Sequence, residues 1–213
     1  MARVLMTGFA PFGGESVNPS WQAVSLVAAR RDDVAAVELP CAFATSLPTL
    51  RRALAEHRPS LVVCAGQAGG RAEVTPERVA INLIDARIPD NAGARPVDAP
   101  VVPDGPAAYF TTLPVKACVA AIRAAGVPAS VSHTAGTYVC NQVFYGLMHL
   151  LATEFPGVRG GFVHVPFSPE QVAAAGKAEA SLGVDRIAVA LEALADTALR
   201  VTEDLAVSAG AEH

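Results

Sequence analysis

Short runs of Val, Leu and Ile alternate along this chain with longer Ala- and Leu-rich stretches whose apolar residues recur every three to four positions. That alternation is the pattern of an α/β fold, in which buried parallel strands are joined by crossover helices. Strands are predicted at residues 3–6, 34–39, 61–65, 79–84, 130–133 and 161–165, with a short edge piece within 107–113. Helices are predicted at residues 19–30, 47–57, 115–125, 141–154 and 184–201. The last is the clearest, because Val184, Ile187, Leu191, Leu194 and Ala198 share one face while Asp185, Glu192 and Asp196 point elsewhere. A chain of 213 residues with 52% hydrophobic and 17% charged residues has ample material for one large core. The expected architecture is a single-domain three-layer α/β/α sandwich with a mostly parallel, mixed twisted sheet. It should span residues 1–207 and leave 208–213 as a disordered tail.

Composition removes several function classes. The formal net charge is -4, and no basic block is present that could neutralise a run of phosphates or an anionic bilayer, so neither nucleic-acid nor membrane binding is expected. Arg or Asp interrupts every apolar stretch before it reaches the roughly 18 residues of a spanning helix. The opening residues run straight into a Gly/Pro/Phe loop with no signal-peptide pattern, which makes a cytoplasmic location the expectation. Cys41, Cys64, Cys118 and Cys140 are scattered singly, without C-x-x-C spacing, and read neither as a zinc site nor as a disulfide framework.

Ligands of open α/β sheets sit outside the carboxyl ends of the parallel strands. That rule selects the loop at 8–14, the Gly66–Gly70 turn, the turn leading to Cys140, and His164 at the end of the sixth strand. Loops 8–18 and 85–105 are long enough to be functional or disordered. Cys140 precedes a helix predicted to begin near Asn141, where free amides favour a thiolate and can hold an oxyanion. The other reading is a small buried hydrophobe. His164, in Gly161-Phe162-Val163-His164-Val165-Pro166, is either a core histidine or a general base and acid, with His133 as a competitor. Glu77 is positioned to orient an imidazole, with Asp85 and Asp90 as alternatives, or it is an edge glutamate paired with Arg78.

Three segments, Gly66-Gln67-Ala68-Gly69 continuing to Val74-Thr75-Pro76-Glu77-Arg78-Val79-Ala80-Ile81-Asn82, then 132–141 ending in Tyr138-Val139-Cys140-Asn141, and 161–166, closely resemble the pyrrolidone-carboxylate peptidases, the pyroglutamyl peptidases I. The opening Thr7-Gly8-Phe9-Ala10-Pro11-Phe12-Gly13-Gly14 and the stretch 86–91 also look like that family. The resemblance spans about residues 3–200. It implies a cysteine exopeptidase that removes an N-terminal pyroglutamyl residue from peptides through a thioester, with a Cys140, His164, Glu77 triad and no metal or cofactor. It further implies that Phe9 and Phe12 form the ring pocket, that the Gln67 backbone meets the lactam, and that Arg87 lies near the oxyanion. Homotetramers are common in the family, so a homo-oligomer is expected. Segment 170–183 departs most from the family pattern.

Two readings from other classes compete. A nucleotide- or phosphate-binding module would use the Gly-rich loops, yet neither has G-x-G-x-x-G or Walker A spacing or contains Lys. A structural or partner-binding domain would leave Cys140 unreactive.

Overall fold

The computed structural model describes residues 3–176 and 178–211. Its main sheet has the order β2-β1-β3-β7-β4. Strands β1 (Val4–Phe9), β2 (Val34–Leu39), β3 (Leu61–Gln67) and β7 (Arg159–Val165) are parallel, and β4 (Thr75–Pro76) closes one side antiparallel to β7. Period-two side-chain alternation divides the core. Val4, Met6, Leu61, Val63, Val163 and Val165 face one layer. Leu5, Phe9, Val62, Cys64 and Phe162 face the other. Helices α1 (Pro19–Arg30), α3 (Val115–Ala124) and α6 (Val184–Arg200) cover the first face. Helices α2 (Ser46–His57) and α4 (Val139–Thr153) cover the second. The expected mostly parallel three-layer architecture is present. No helix among the described residues is long and apolar enough to cross a membrane.

Two predicted strands are corrected. The one at 79–84 shrinks to β5 (Val79–Ile81), which leaves the main sheet to pair antiparallel with β6 (Ala108–Phe110). The antiparallel neighbour of β7 is instead β4, just upstream. The one at 130–133 is no strand. Val74 and Arg78 donate their amides to Pro128 and Ser132, as a parallel ladder requires, but Pro76 between them has no N–H for the middle rung. Only the isolated bridges Val74–Ala129 and Glu77–Ser132 remain.

A helix not expected from periodicity, α5 (Pro169–Ala175), follows β7 and runs into the segment 170–183. Ser168 caps it, Pro169 opens it, and Gln171 completes a reciprocal capping box. Gln171 Nε2 then donates to Val17 O at 3.1 Å and to Gln67 Oε1 at 2.9 Å, fastening this helix to the loops after β1 and β3. Loop 85–105 is anchored through Asp90, whose carboxylate accepts from the amides of Phe43, Ala92 and Ala94. Residues 208–211 carry neither helix nor strand, and 212–213 lie outside the described residues.

Candidate active site

The chain leaves β1 through α1 on one face of the sheet and leaves β2 through α2 on the other, so β3 lies beside β1 on the side opposite β2. The loops after β1 and β3 therefore part company, which is where such sheets open a crevice. A cleft of about 550 Å³ lies there, lined by Phe12, Gln67, Gly69, Arg87 and Phe167 among others. Phe12, Gln67 and Arg87, separated by as much as 75 positions in the chain, thus share one cavity. Phe9 does not line it. Phe9 is 2% exposed and packs in the core, its ring centroid 6.3 Å from that of Phe162. Gln67 is buried at the end of β3.

Beside this cleft the catalytic candidates converge on Gly66. Paired residues of neighbouring parallel strands send their side chains to the same face, and Gly66 pairs with His164. A Cβ added to Gly66 would lie 2.8 Å from Cys140 Sγ and 2.8 Å from Phe162 Cζ. The missing side chain at 66 is thus the space in which the sulfur sits, on the face from which His164 emerges. Cys140 is the second residue of α4, which starts two residues earlier than expected. Tyr138 offers no side-chain cap, and the amides at 139, 140 and 141 have no acceptor within the helix. Tyr138 also touches Phe12, with ring centroids 6.1 Å apart, so the wall of the cleft and the start of α4 are in contact. Cys140 and His164 are not among the lining residues of the cleft itself.

His164 Nδ1 lies 2.7 Å from Glu77 Oε1. An ionised carboxylate only accepts, so Nδ1–H donates and Nε2 keeps its lone pair. Glu77 is fully buried, held by its amide to Phe162 O at 2.9 Å. Its ion-pair partner is not Arg78 but Arg71, whose Nη1 donates to the same Oε1 at 2.8 Å. Arg71 also donates to Thr75 Oγ1 at 2.5 Å and, through Nη2, to Thr134 O at 3.1 Å. Sequence reasoning missed Arg71 because no local pattern joins it to Glu77; between them the chain bends at Glu73 and passes through β4. Asp85 is exposed and Asp90 is spent on loop amides, so neither faces the imidazole. His133 makes no bond to the cluster and lines a separate hollow.

Burial pushes the Glu77 carboxyl up, but the hydrogen bond and charge of His164, with Arg71 adding, outweigh it and the net direction is down. Burial pushes the His164 imidazole down and Glu77 opposes it; the net direction is down, and Arg71 contributes to that. At Cys140 burial pushes the thiol up, with Cys41 and the Glu77 carboxylate adding and Arg71 opposing. Burial thus raises the Cys140 thiol and lowers the His164 imidazole, and both shifts run against the resting thiolate that the sequence suggested. Among the described residues, no group of three or more His, Cys, Asp or Glu is placed to hold a metal ion.

Three comparisons agree with this arrangement. The family model described as pyroglutamyl peptidase matches residues 2–201. The pyrrolidone-carboxylate peptidase of Streptomyces coelicolor is 64% identical over 218 aligned positions, covering all of both chains, and that of Escherichia fergusonii is 54% identical with the same coverage. The crystal structure of pyroglutamyl peptidase I from Bacillus amyloliquefaciens superposes with a TM-score of 0.92 at 48% identity, covering 98% of this chain and 100% of that one. A pyrrolidone carboxyl peptidase mutant from Pyrococcus furiosus gives 0.87 at 37% identity, over 92% and 97% of the two chains. With whole-length relatives above half identity and a family model over almost every residue, the chain belongs to the pyroglutamyl peptidase family.

Proposed function

We propose that this protein hydrolyses the amide bond after an N-terminal pyroglutamyl residue, with Cys140 as nucleophile, His164 as general base and acid, and Glu77 as the group that orients the imidazole. The observation that carries this reading is the buried 2.7 Å contact between Glu77 and His164 on the sheet face where Gly66 makes room for the Cys140 sulfur. As Sγ attacks the pyroglutamyl carbonyl, its proton passes to His164 Nε2. The α4 amides, with Arg87 at the cleft, meet the developing oxyanion. The imidazolium then gives its proton to the departing amine as the C–N bond breaks. Water, deprotonated by the same nitrogen, cleaves the thioester to free pyroglutamate and restores the thiol.

A lactam end is flat and uncharged, so recognition rests on apolar cover and amide-type contacts rather than on carboxylates. Phe12 at the cleft wall supplies the first and Gln67, lining the same cleft, the second. The deciding experiment compares turnover of a pyroglutamyl amide with that of the matching glutaminyl amide. Strong preference for the first supports the reading, and equal turnover contradicts it. A cytoplasmic setting belongs to the same proposal, supported by four free cysteines. So does assembly into a homotetramer, for which the exposed Phe110 and Val97, 69% and 63% accessible, offer apolar surface to a second copy. Sedimentation of the purified chain tests the assembly.

A further inference from the structure

We propose that Arg71 is a positioning residue of this site, holding Glu77 against His164 and cross-linking the pair to the turn that leads into Cys140. The inference rests on the peptidase reading above and deepens it. One guanidinium makes three bonds that no nearby side chain could replace together: to Glu77 Oε1, to Thr75 Oγ1 beside it, and to Thr134 O in the turn before α4. Its planar fork fits that geometry, whereas a single ammonium has one pole to offer. Glu77 Oε1 receives both Arg71 and His164, so one oxygen joins the guanidinium to the imidazole and Arg71 holds it in place.

The charge matters as well as the bonds. Around the Glu77–His164 pair stand Cys140 from α4, Ser132 and Arg71, with Cys64 and Cys41 beyond the sulfur. Glu73 and His133 line the outer hollow that Arg71 shares. Arg71 is the permanent charge at the pair itself, 28% exposed while Glu77 is fully buried. Without it, the buried cluster becomes one unit more negative and takes up a proton at higher pH, whichever atom holds that proton. The imidazole would then be occupied when it should be accepting from the thiol.

The test uses Arg71→Gln, which keeps donors but removes the charge, and Arg71→Lys, which keeps the charge but not the fork. His164 is titrated by NMR in the full chain, its signal assigned by its loss in His164→Gln, and pyroglutamyl amide turnover is followed against pH. In Arg71→Gln the His164 midpoint and the acid limb of kcat/KM should both move up by about one pH unit. There kcat should fall about tenfold with KM changing less than about twofold. Arg71→Lys should return the midpoint to that of the unsubstituted chain and recover part of kcat. An unmoved His164 midpoint in Arg71→Gln, a failure of Lys to restore it, or a loss confined to KM would overturn the proposal. The NMR titration decides even if the unsubstituted chain cleaves no pyroglutamyl amide, an outcome that would count against the peptidase reading alone.

Discussion

Glu77 is a carboxylate with no exposed surface, kept ionised by an imidazole and a guanidinium that share one of its oxygens. Such a group acts through orientation, so Glu77→Gln should lower kcat by about 10³-fold or more while leaving the fold intact, because an amide can donate to Nδ1 and select the wrong tautomer. Circular dichroism beside the rate measurement checks both halves. The pair also couples stability to pH. Glu77 and His164 both bind protons less readily in the folded chain than unfolded, so their contribution is present at neutral pH and is lost on acidification. The loss begins below 6.5 through His164 and continues below 4.5 through Glu77. Denaturant midpoints should therefore fall between pH 7.5 and about 5.5, and fall less in His164→Gln; identical falls in both proteins would refute the coupling. Reactivity follows from exposure. Cys140 is the part-exposed one of four thiols, so iodoacetamide should label it ahead of Cys41, Cys64 and Cys118, at a rate that climbs with pH because burial pushes its thiol up. The identity of these residues was legible in the chain, since strand ends and the Cys140 turn mark the rim. Their ionisation was not, because it depends on burial by Phe162 and other residues that no local pattern connects to position 140.

At the scale of elements, the site depends on a glycine in β3 and on the first turn of α4. Gly66→Ala would drive a methyl group to 2.8 Å from both Cys140 Sγ and Phe162 Cζ, so the sulfur must move. A displacement near 1 Å in a catalytic group costs about 10²-fold, so kcat/KM should drop by roughly that factor with a much smaller change in thermal midpoint. Asn141 anchors the same turn differently. Its side chain accepts from Ile81 N and donates to Ile81 O and Leu83 O, tying β5 to α4. The helix expected at residues 184–201 was plain from its periodicity and ends at Arg200, and the strand expected at 34–39 is β2. The strand expected at 130–133 failed for a reason visible only once its partner was known, namely that Pro76 removes a rung. Helix α5 had a local signal, Ser168-Pro169-Glu170-Gln171, but seven residues are too few for periodicity to show.

For the whole molecule, two packed layers on one sheet and contacts that run from Arg159 to the end of α6 argue that residues 1–207 unfold together, and we propose that they form one domain. A single thermal transition seen alike by circular dichroism and fluorescence is the expected result; two transitions would divide it. The architecture was readable because alternating strands and helices admit few topologies. The cleft was readable only in outline, since Phe12, Gln67 and Arg87 meet through loops whose paths are set by Asp90 and Gln171 hydrogen bonds rather than by any repeating pattern. The most direct test is the rate of amine release from a pyroglutamyl amide by the unsubstituted chain and by Cys140→Ala. The account predicts ready turnover by the first and loss of about 10⁴-fold or more in the second. Comparable turnover by both would show that the sulfur at position 140 is not the nucleophile.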